Sequence, residues 1–376
     1  MHFDSKSQKS QERASFLVIG GFLGAGKTTA LLRLAQRYHE LGKRVGLITN
    51  DQAAHLVDTG TLRVRGFRVE EVAGACFCCK FDELAQCAER LREEERPHVL
   101  LGEPVGSCTD LAATVVAPMR TMYGDRYDVA PYSVLVDPAR ARQIVLEKGF
   151  GGFSSKVAYI FLKQLEEADV LCLNKVDTLT PQLRADLMGA LAAEFPKAKV
   201  VGTSGLTGEG FEEWRKLLDV GGPAGRNIAD VDYDVYAEGE AELGWLNAAW
   251  EVRSERSFDA DALVHDVVAR TSSRIRALGH EVAHLKAMLE SPSGTAVANF
   301  VGAGSTPHLS QPTRAAVSGG LLTLNARVHM DPTMLRSLAD AEVAPVLTAH
   351  RAVGHATDAL YFRPGRPVPT HRFTKE

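Results

Sequence analysis

Residues 21–28 read Gly-Phe-Leu-Gly-Ala-Gly-Lys-Thr, and no other stretch constrains the chain as strongly. The pattern is G-x-x-x-x-G-K-T, a phosphate-cradling loop, and its flanks are the ones such a loop needs. Ser15 to Ile19 reads as a buried strand. Lys27 to Leu41 reads as a helix, with Leu31, Leu32, Leu34, Ala35 and Tyr38 at helical spacing and Gly42 as the stop. Gly21, Gly24, Ala25 and Gly26 let backbone N–H groups turn inward around phosphates. The helix start, with Thr28 and Thr29, adds partial positive charge. Lys27 is expected to reach the β- and γ-phosphates and to act in catalysis, and the Thr28 hydroxyl to hold Mg²⁺. A glycine-rich turn that fits by chance would not need this strand and helix. The reading is a nucleoside-triphosphate site.

At 376 residues the chain exceeds one ordinary core and suggests two domains. A hydrophobic content of 45% with 24% charged residues is that of a soluble globular protein. The formal charge of −4 gives no reason to expect nucleic acid as a partner. No apolar run approaches the roughly 20 residues that span a bilayer, so no membrane is expected. Residues 1–13 are polar and unlike a secretory signal. All six cysteines lie before residue 173, three of them within four residues. That suits a metal or redox task in a reducing cytoplasm better than a disulfide framework.

A second strand, Arg44 to Thr49, ends at Asn50-Asp51-Gln52, where an open α/β sheet faces its ligand. Asp51 is a candidate Mg²⁺ or water-positioning ligand, and equally a helix N-cap. Residues 53–73 lack a clean period and read as a mobile, switch-like segment. Cys76-Phe77-Cys78-Cys79 follows. Soft thiolates select zinc, copper(I) or iron, with cobalt open, and three sulfurs leave a tetrahedral ion one ligand short. Water, Cys108, a histidine or a receiving protein could supply the fourth. The alternative is a buried small-residue turn. Cys87 and Cys172 read as core.

A third strand ends in Glu103-Pro104-Val105-Gly106. Glu103 is placed to hold a metal-bound water or orient the attacking one, and Gly106 to donate its N–H to the γ-phosphate. Glu103 could otherwise be a cap. Two further strands, Pro131 to Val136 and Ala168 to Leu173, lead to Asn174-Lys175-Val176-Asp177. The Asp177 carboxylate can accept from guanine N1–H and its amine, and adenine offers neither. A site built on such bonds rejects the wrong base by roughly 10⁴-fold. Asn174 would tie the loop together, Lys175 would cover the ring, and the loop at Ser204 would close over it.

Composition changes near Gly221-Gly222-Pro223, a linker signal. The expected organisation is a tail at 1–14, a P-loop domain of α/β class with a mostly parallel sheet at 15–220, and a linker at 221–240. A smaller α+β domain, ordered β-α-β-β-β-α with helices on one face, is expected at 241–350, and an extended tail at 351–376. His280-Glu281-Val282-Ala283-His284 matches H-E-x-x-H, but the alternation from Ala283 to Leu289 is strand-like, so a zinc protease is not expected. Eight of the twelve histidines lie beyond residue 260, which leaves a secondary metal site open there.

With these pieces assembled, the chain resembles the metal-chaperone GTPases of the CobW type, in the SIMIBI class of P-loop proteins. Residues 21–29, 76–79, 103–106 and 174–177 carry the resemblance, in that order. It covers about residues 15–220 strongly and 241–345 weakly. The resemblance implies that Cys76, Cys78 and Cys79 bind a transition metal, zinc or cobalt, and that GTP turnover is coupled to capture and delivery. The family has Asn-Glu-Phe-Gly where this chain has Asn50-Asp51-Gln52, and Gly where this chain has Ala75. It reads E-x-x-G-x-x-x-P around Glu103, where here Cys108 follows and the last proline is missing. These departures mark a divergent subgroup.

The expectation is a slow GTPase using GTP, Mg²⁺ and a transition metal, Zn²⁺ first, that loads a client protein; homo-oligomers are left open. A GTP-gated metal sensor is the alternative. A P-loop kinase for a small molecule is a third reading, against which Asp177 argues.

Overall fold

A computed structural model describes residues 13–51, 67–222, 224–302 and 305–374. Eight strands build the first sheet: β1 (Ala14–Gly21), β2 (Val45–Asp51), β3 (Arg68–Ala73), β4 (Val99–Glu103), β5 (Tyr127–Val129), β6 (Ser133–Val136), β7 (Val170–Leu173) and β8 (Lys199–Gly202). Their order is β3-β2-β4-β1-β6-β7-β8, with β5 beside the start of β1, and every pairing is parallel. Parallel strands need helical crossovers, which cover both faces. Helices α1 (Lys27–Glu40) and α5 (Phe211–Asp219) pack Leu31, Leu34, Trp214 and Leu218 on one side. Helices α2 (Phe81–Glu94) and α3 (Ser155–Glu166) pack Leu84, Leu91, Ile160 and Phe161 on the other. Helix α4 (Pro181–Glu194) precedes β8. This is the expected α/β class.

The strands deliver the motifs to one edge because the ligand crevice of such a sheet lies beyond its carboxyl ends. Glu103 ends β4 in register with Thr49, just before Asn50 on β2, and Asn174 follows β7. The expected switch-like segment lies mostly in residues 53–66, outside the described residues; its last part, Arg68–Ala73, is the edge strand β3.

The second sheet is antiparallel, ordered β12-β11-β10-β13-β9-β14. Its strands are β9 (Gly244–Asp259), β10 (Val282–Ser291), β11 (Gly294–Phe300), β12 (His308–Gln311), β13 (Ala316–Val328) and β14 (Val353–Phe362). Helices α7 (Ala260–Ala277) and α8 (Pro332–Ala349) cover one face with Leu263, Val267, Leu335 and Val346. The expected β-α-β-β-β-α order thus gains β12 and β14. Both are edge strands with mostly exposed side chains, so no apolar alternation marks them. The stretch expected as a linker holds helix α6 (Tyr233–Ala241), N-capped by Asp232. It packs closely on α3: a Cβ at Gly239 would lie 2.7 Å from the Lys156 carbonyl oxygen.

After β14 the chain continues as an extended strap across the first domain. Val368 N–H donates to Cys79 Sγ at 3.3 Å, and Thr370 N–H to the Cys78 carbonyl at 2.9 Å. Arg372 Nε donates to the buried Asp110 at 2.6 Å, and Phe373 N–H to the Ala113 carbonyl at 3.0 Å. No helix among the described residues is long and apolar enough to cross a membrane.

Candidate nucleotide and metal site

A cavity of about 380 Å³ opens where the P-loop meets the second sheet. Gly24, Gly26, Lys27, Thr28 and Thr29 form its floor, and Asn50, Glu103, Gly106 and Lys175 its sides. Lys27 is buried, and its Nζ donates to the Gly21 carbonyl at 2.9 Å and the Phe22 carbonyl at 3.4 Å. The Thr28 hydroxyl donates to Glu103 Oε1 at 2.8 Å. A Cβ at Gly106 would sit 2.8 Å from Lys27 Nζ, so the bare backbone lets this loop come up to the lysine. Gly24 has a φ of +80°, and a Cβ there would strike Val301 of the second domain at 2.4 Å.

Asn174 ties the loops together as expected of its type. Its Nδ2 donates to the Ala25 carbonyl at 2.9 Å, and its Oδ1 accepts from Gly205 N–H at 3.0 Å. Lys175 takes a left-handed φ of 57° and places Nζ 2.8 Å from the Gly24 carbonyl and 2.7 Å from Asp137. Burial works to raise the Asp137 carboxyl, but Lys175 and Arg140 outweigh it and hold it low. Asp177 lies exposed on the turn just beyond Lys175, and Ser204 is buried with its Oγ accepting from Thr207 N–H. Neither lines the cavity, nor do Gly21 and Ala25. Asp51 closes β2, and its side chain lies outside the described residues.

The sequence reading missed the second sheet's part in this cavity. His284, Lys286, His308 and Arg327 line it opposite the P-loop. Arg327 is held over the Trp245 ring, 3.9 Å from its centroid, and donates to Asn247 Oδ1 at 3.1 Å. Burial, joined by the charge of Lys175, keeps the His308 imidazole below its ordinary value. Five cationic side chains, Lys27, Arg33, Lys175, Lys286 and Arg327, therefore face one carboxylate, Glu103, among the described lining residues. In a chain with a net charge of −4, that concentration suits a polyanion. The signal was present in β10, where Leu285, Ala287 and Leu289 face the helices and His284 and Lys286 take the other face. H-E-x-x-H is not helical here. His280 precedes β10 and bonds the His329 carbonyl, and His284 lies within the strand.

The cysteine turn stands behind the cavity. Cys76 Sγ is 3.0 Å from Cys78 Sγ and 3.2 Å from Cys79 Sγ, and the last two are 3.8 Å apart. Cys76 and Cys78 are buried and Cys79 is half-buried under the strap. Among the described residues this is the one group of three or more such side chains whose ligand atoms lie within 4.8 Å of one another; the late histidines form none. Cys108, fully buried, is the main influence that lowers the pKa of Cys76, ahead of Cys78 and Cys79. In return Cys76 pushes Cys79 up to about 11. Asn50 joins cluster to cavity: its Nδ2 donates to the Ala75 carbonyl at 2.7 Å and its Oδ1 accepts from Phe77 N–H at 2.8 Å.

Glu240 of α6 lies beside this loop and accepts from the Ser107 hydroxyl. Burial pushes its carboxyl up to about 8, against the Ser107 bond and with the help of Cys76. An unfolded glutamate titrates near 4.3. The folded state thus keeps a proton that the unfolded state gives up. Its contribution to stability is full below about pH 4.3 and is lost as pH rises toward about 8. Glu240→Gln should therefore melt progressively higher than wild type between about pH 5 and 8, with a constant gap above that. A gap that is the same at both ends would refute the assignment.

A parallel sheet whose first crossover carries a P-loop, with N-K-x-D after a later strand, defines a P-loop nucleotide-binding protein. Residues 15–201 match the CobW/HypB/UreG, nucleotide-binding domain, so this part of the chain is a domain of that family. The zinc chaperone CobW of Sinorhizobium sp is 28% identical over 192 residues, covering 46% of this chain and 54% of that protein. The zinc chaperone YeiR of Escherichia coli (strain K12) is 28% identical over 168 residues, covering 44% and 47%. The chain spans about half the length of the curated relatives it matches. Among solved structures, Zn(II)-bound YjiA GTPase from E. coli has a TM-score of 0.37 and 14% identity, over 88% of this chain and 99% of that one.

Proposed function

We propose that the protein is a slow GTPase that binds a transition metal, zinc first, through Cys76, Cys78 and Cys79 and passes it to a client protein. The observation that carries this reading is Asn50, whose side chain lines the nucleotide cavity and holds the cysteine turn on either side of Cys76. A change at the γ-phosphate end has a short covalent and hydrogen-bonded route to the sulfurs.

Lys27 and the N–H groups of the P-loop and Gly106 would receive charge on the transferring phosphoryl group, without reorganising at the moment of reaction. Glu103 would orient the attacking water. Thr28 and Glu103, an adjoining hydroxyl and carboxylate, are a fitting donor set for Mg²⁺, which when bound would neutralise phosphate charge. Asp177 would select guanine. The relatives named as zinc chaperones support zinc as cargo and a client as its recipient. A protein rather than a nucleic-acid or membrane partner belongs to the same proposal, as does a division into a P-loop domain and a second domain that takes in β14.

The test is Zn²⁺ affinity, by competition with a chromophoric chelator, in the presence of GTP-γ-S, GDP or no nucleotide. An affinity that differs between the GTP-γ-S and GDP states is expected. Equal affinities in all three would sink the coupling.

A further inference from the structure

The geometry points to Cys108 as a fourth sulfur ligand, so that the metal this chain takes is a soft divalent ion held by four cysteines. The inference rests on the metal-binding reading above and extends it to a residue outside the C-x-C-C run. Three observations carry it.

First, the trio is pre-gathered at 3.0–3.8 Å but supplies one ligand too few for a tetrahedral ion. Cys108 is the further sulfur that interacts with Cys76; the four sulfurs do not all lie within 4.8 Å of one another, so an ion would have to draw Cys108 in. Second, Cys108 is held where it stands. Its N–H donates to the Val105 carbonyl at 3.1 Å, and its own carbonyl accepts from Gln164 Nε2 at 2.7 Å. Third, the neighbouring groups that could compete are committed elsewhere. Glu240 is bound to Ser107, and Asp110 to Arg372 and Tyr233. His371 sets its ring edge-on to Phe81 at 5.2 Å and has Nε2 4.0 Å from the Asp82 carboxylate. The outer side of Cys79 carries the strap's Val368 N–H.

Cys108 also differs from the trio in what moves it. It is two residues past Gly106 on the loop that begins at Glu103, which bonds Thr28 of the P-loop. The fourth sulfur therefore rides on the nucleotide side of the molecule while the other three ride on the cysteine turn. Withdrawing it would leave a three-sulfur site with one position open for a receiving ligand.

The test starts with X-ray absorption of the zinc-loaded full chain, which counts sulfurs without any substitution. Four sulfurs at about 2.3 Å are expected. Three sulfurs with one nitrogen or oxygen would overturn the inference and leave the metal-binding reading standing. Uptake of no zinc at all would overturn both. Cobalt-loaded Cys108→Ser and Cys108→Ala should then lose about a quarter of the sulfur-to-cobalt absorption, in keeping with one of four ligands removed. Each should also bind zinc at least about tenfold more weakly. Two variants guard against one that misfolds, with GTP-γ-S binding as the folding control. Unchanged spectra and affinity in either well-folded variant would mean that Cys108 is core packing only.

Discussion

Lys27→Ala is expected to lower the rate constant for GTP hydrolysis by about 10²–10³-fold, the usual cost of one preorganised donor. The argument is electrostatic. The ammonium of the buried Lys27 already stands at the cavity floor, 2.9 Å from the Gly21 carbonyl, and a Cβ added at Gly106 would come within 2.8 Å of it. Its charge is thus in place before the phosphates arrive, and the second sheet keeps the medium around it less screening than water. Single-turnover hydrolysis measures the effect, and a melting curve checks that the P-loop still folds. A rate within about twofold of wild type would remove Lys27 from the mechanism.

The Cys76/Cys78/Cys79→Ser variant should lose zinc affinity by at least about a thousandfold, since thiolate ligation accounts for most of the binding free energy at such sites. Serine keeps the shape but stays protonated and hard, so it offers a soft ion little. Cys76 and Cys78 are buried against the core, and serine there costs some stability as well. Nucleotide binding by the variant therefore has to be measured beside chelator competition. Zinc retained within about tenfold in a variant that still binds GTP-γ-S would move the metal elsewhere.

The parts legible in the sequence are those whose partners are near in the chain or whose role is fixed by local backbone. Gly21 to Thr28 declares a turn and a helix start, and the strands that feed it are continuous apolar runs. Asn174 could be assigned a tying role because the motif implies the loop it ties. The missing pieces depend on contacts across long separations. Lys286 and Arg327 reach the cavity because a second sheet lays its polar face over the P-loop, and alternation in β10 shows that such a face exists without showing what it covers. The contact of Cys108 with Cys76 joins two loops 32 positions apart, both ending beside the same sheet edge. Edge strands β12 and β14 escape for the opposite reason. They are exposed on both sides, so burial leaves no period in them.

The strap has a consequence for anything that must reach the half-buried thiol. The Val368 and Thr370 N–H groups already occupy the Cys79 sulfur and the Cys78 carbonyl, and the Thr370 hydroxyl occupies the Cys79 carbonyl. A visitor approaching from that side meets an intramolecular competitor tethered at high effective concentration, and its apparent affinity falls by the fraction of time the competitor is seated. The carboxyl-terminal residues therefore set a threshold on exchange. Shortening the chain after Phe362 would lower that threshold without touching a ligand.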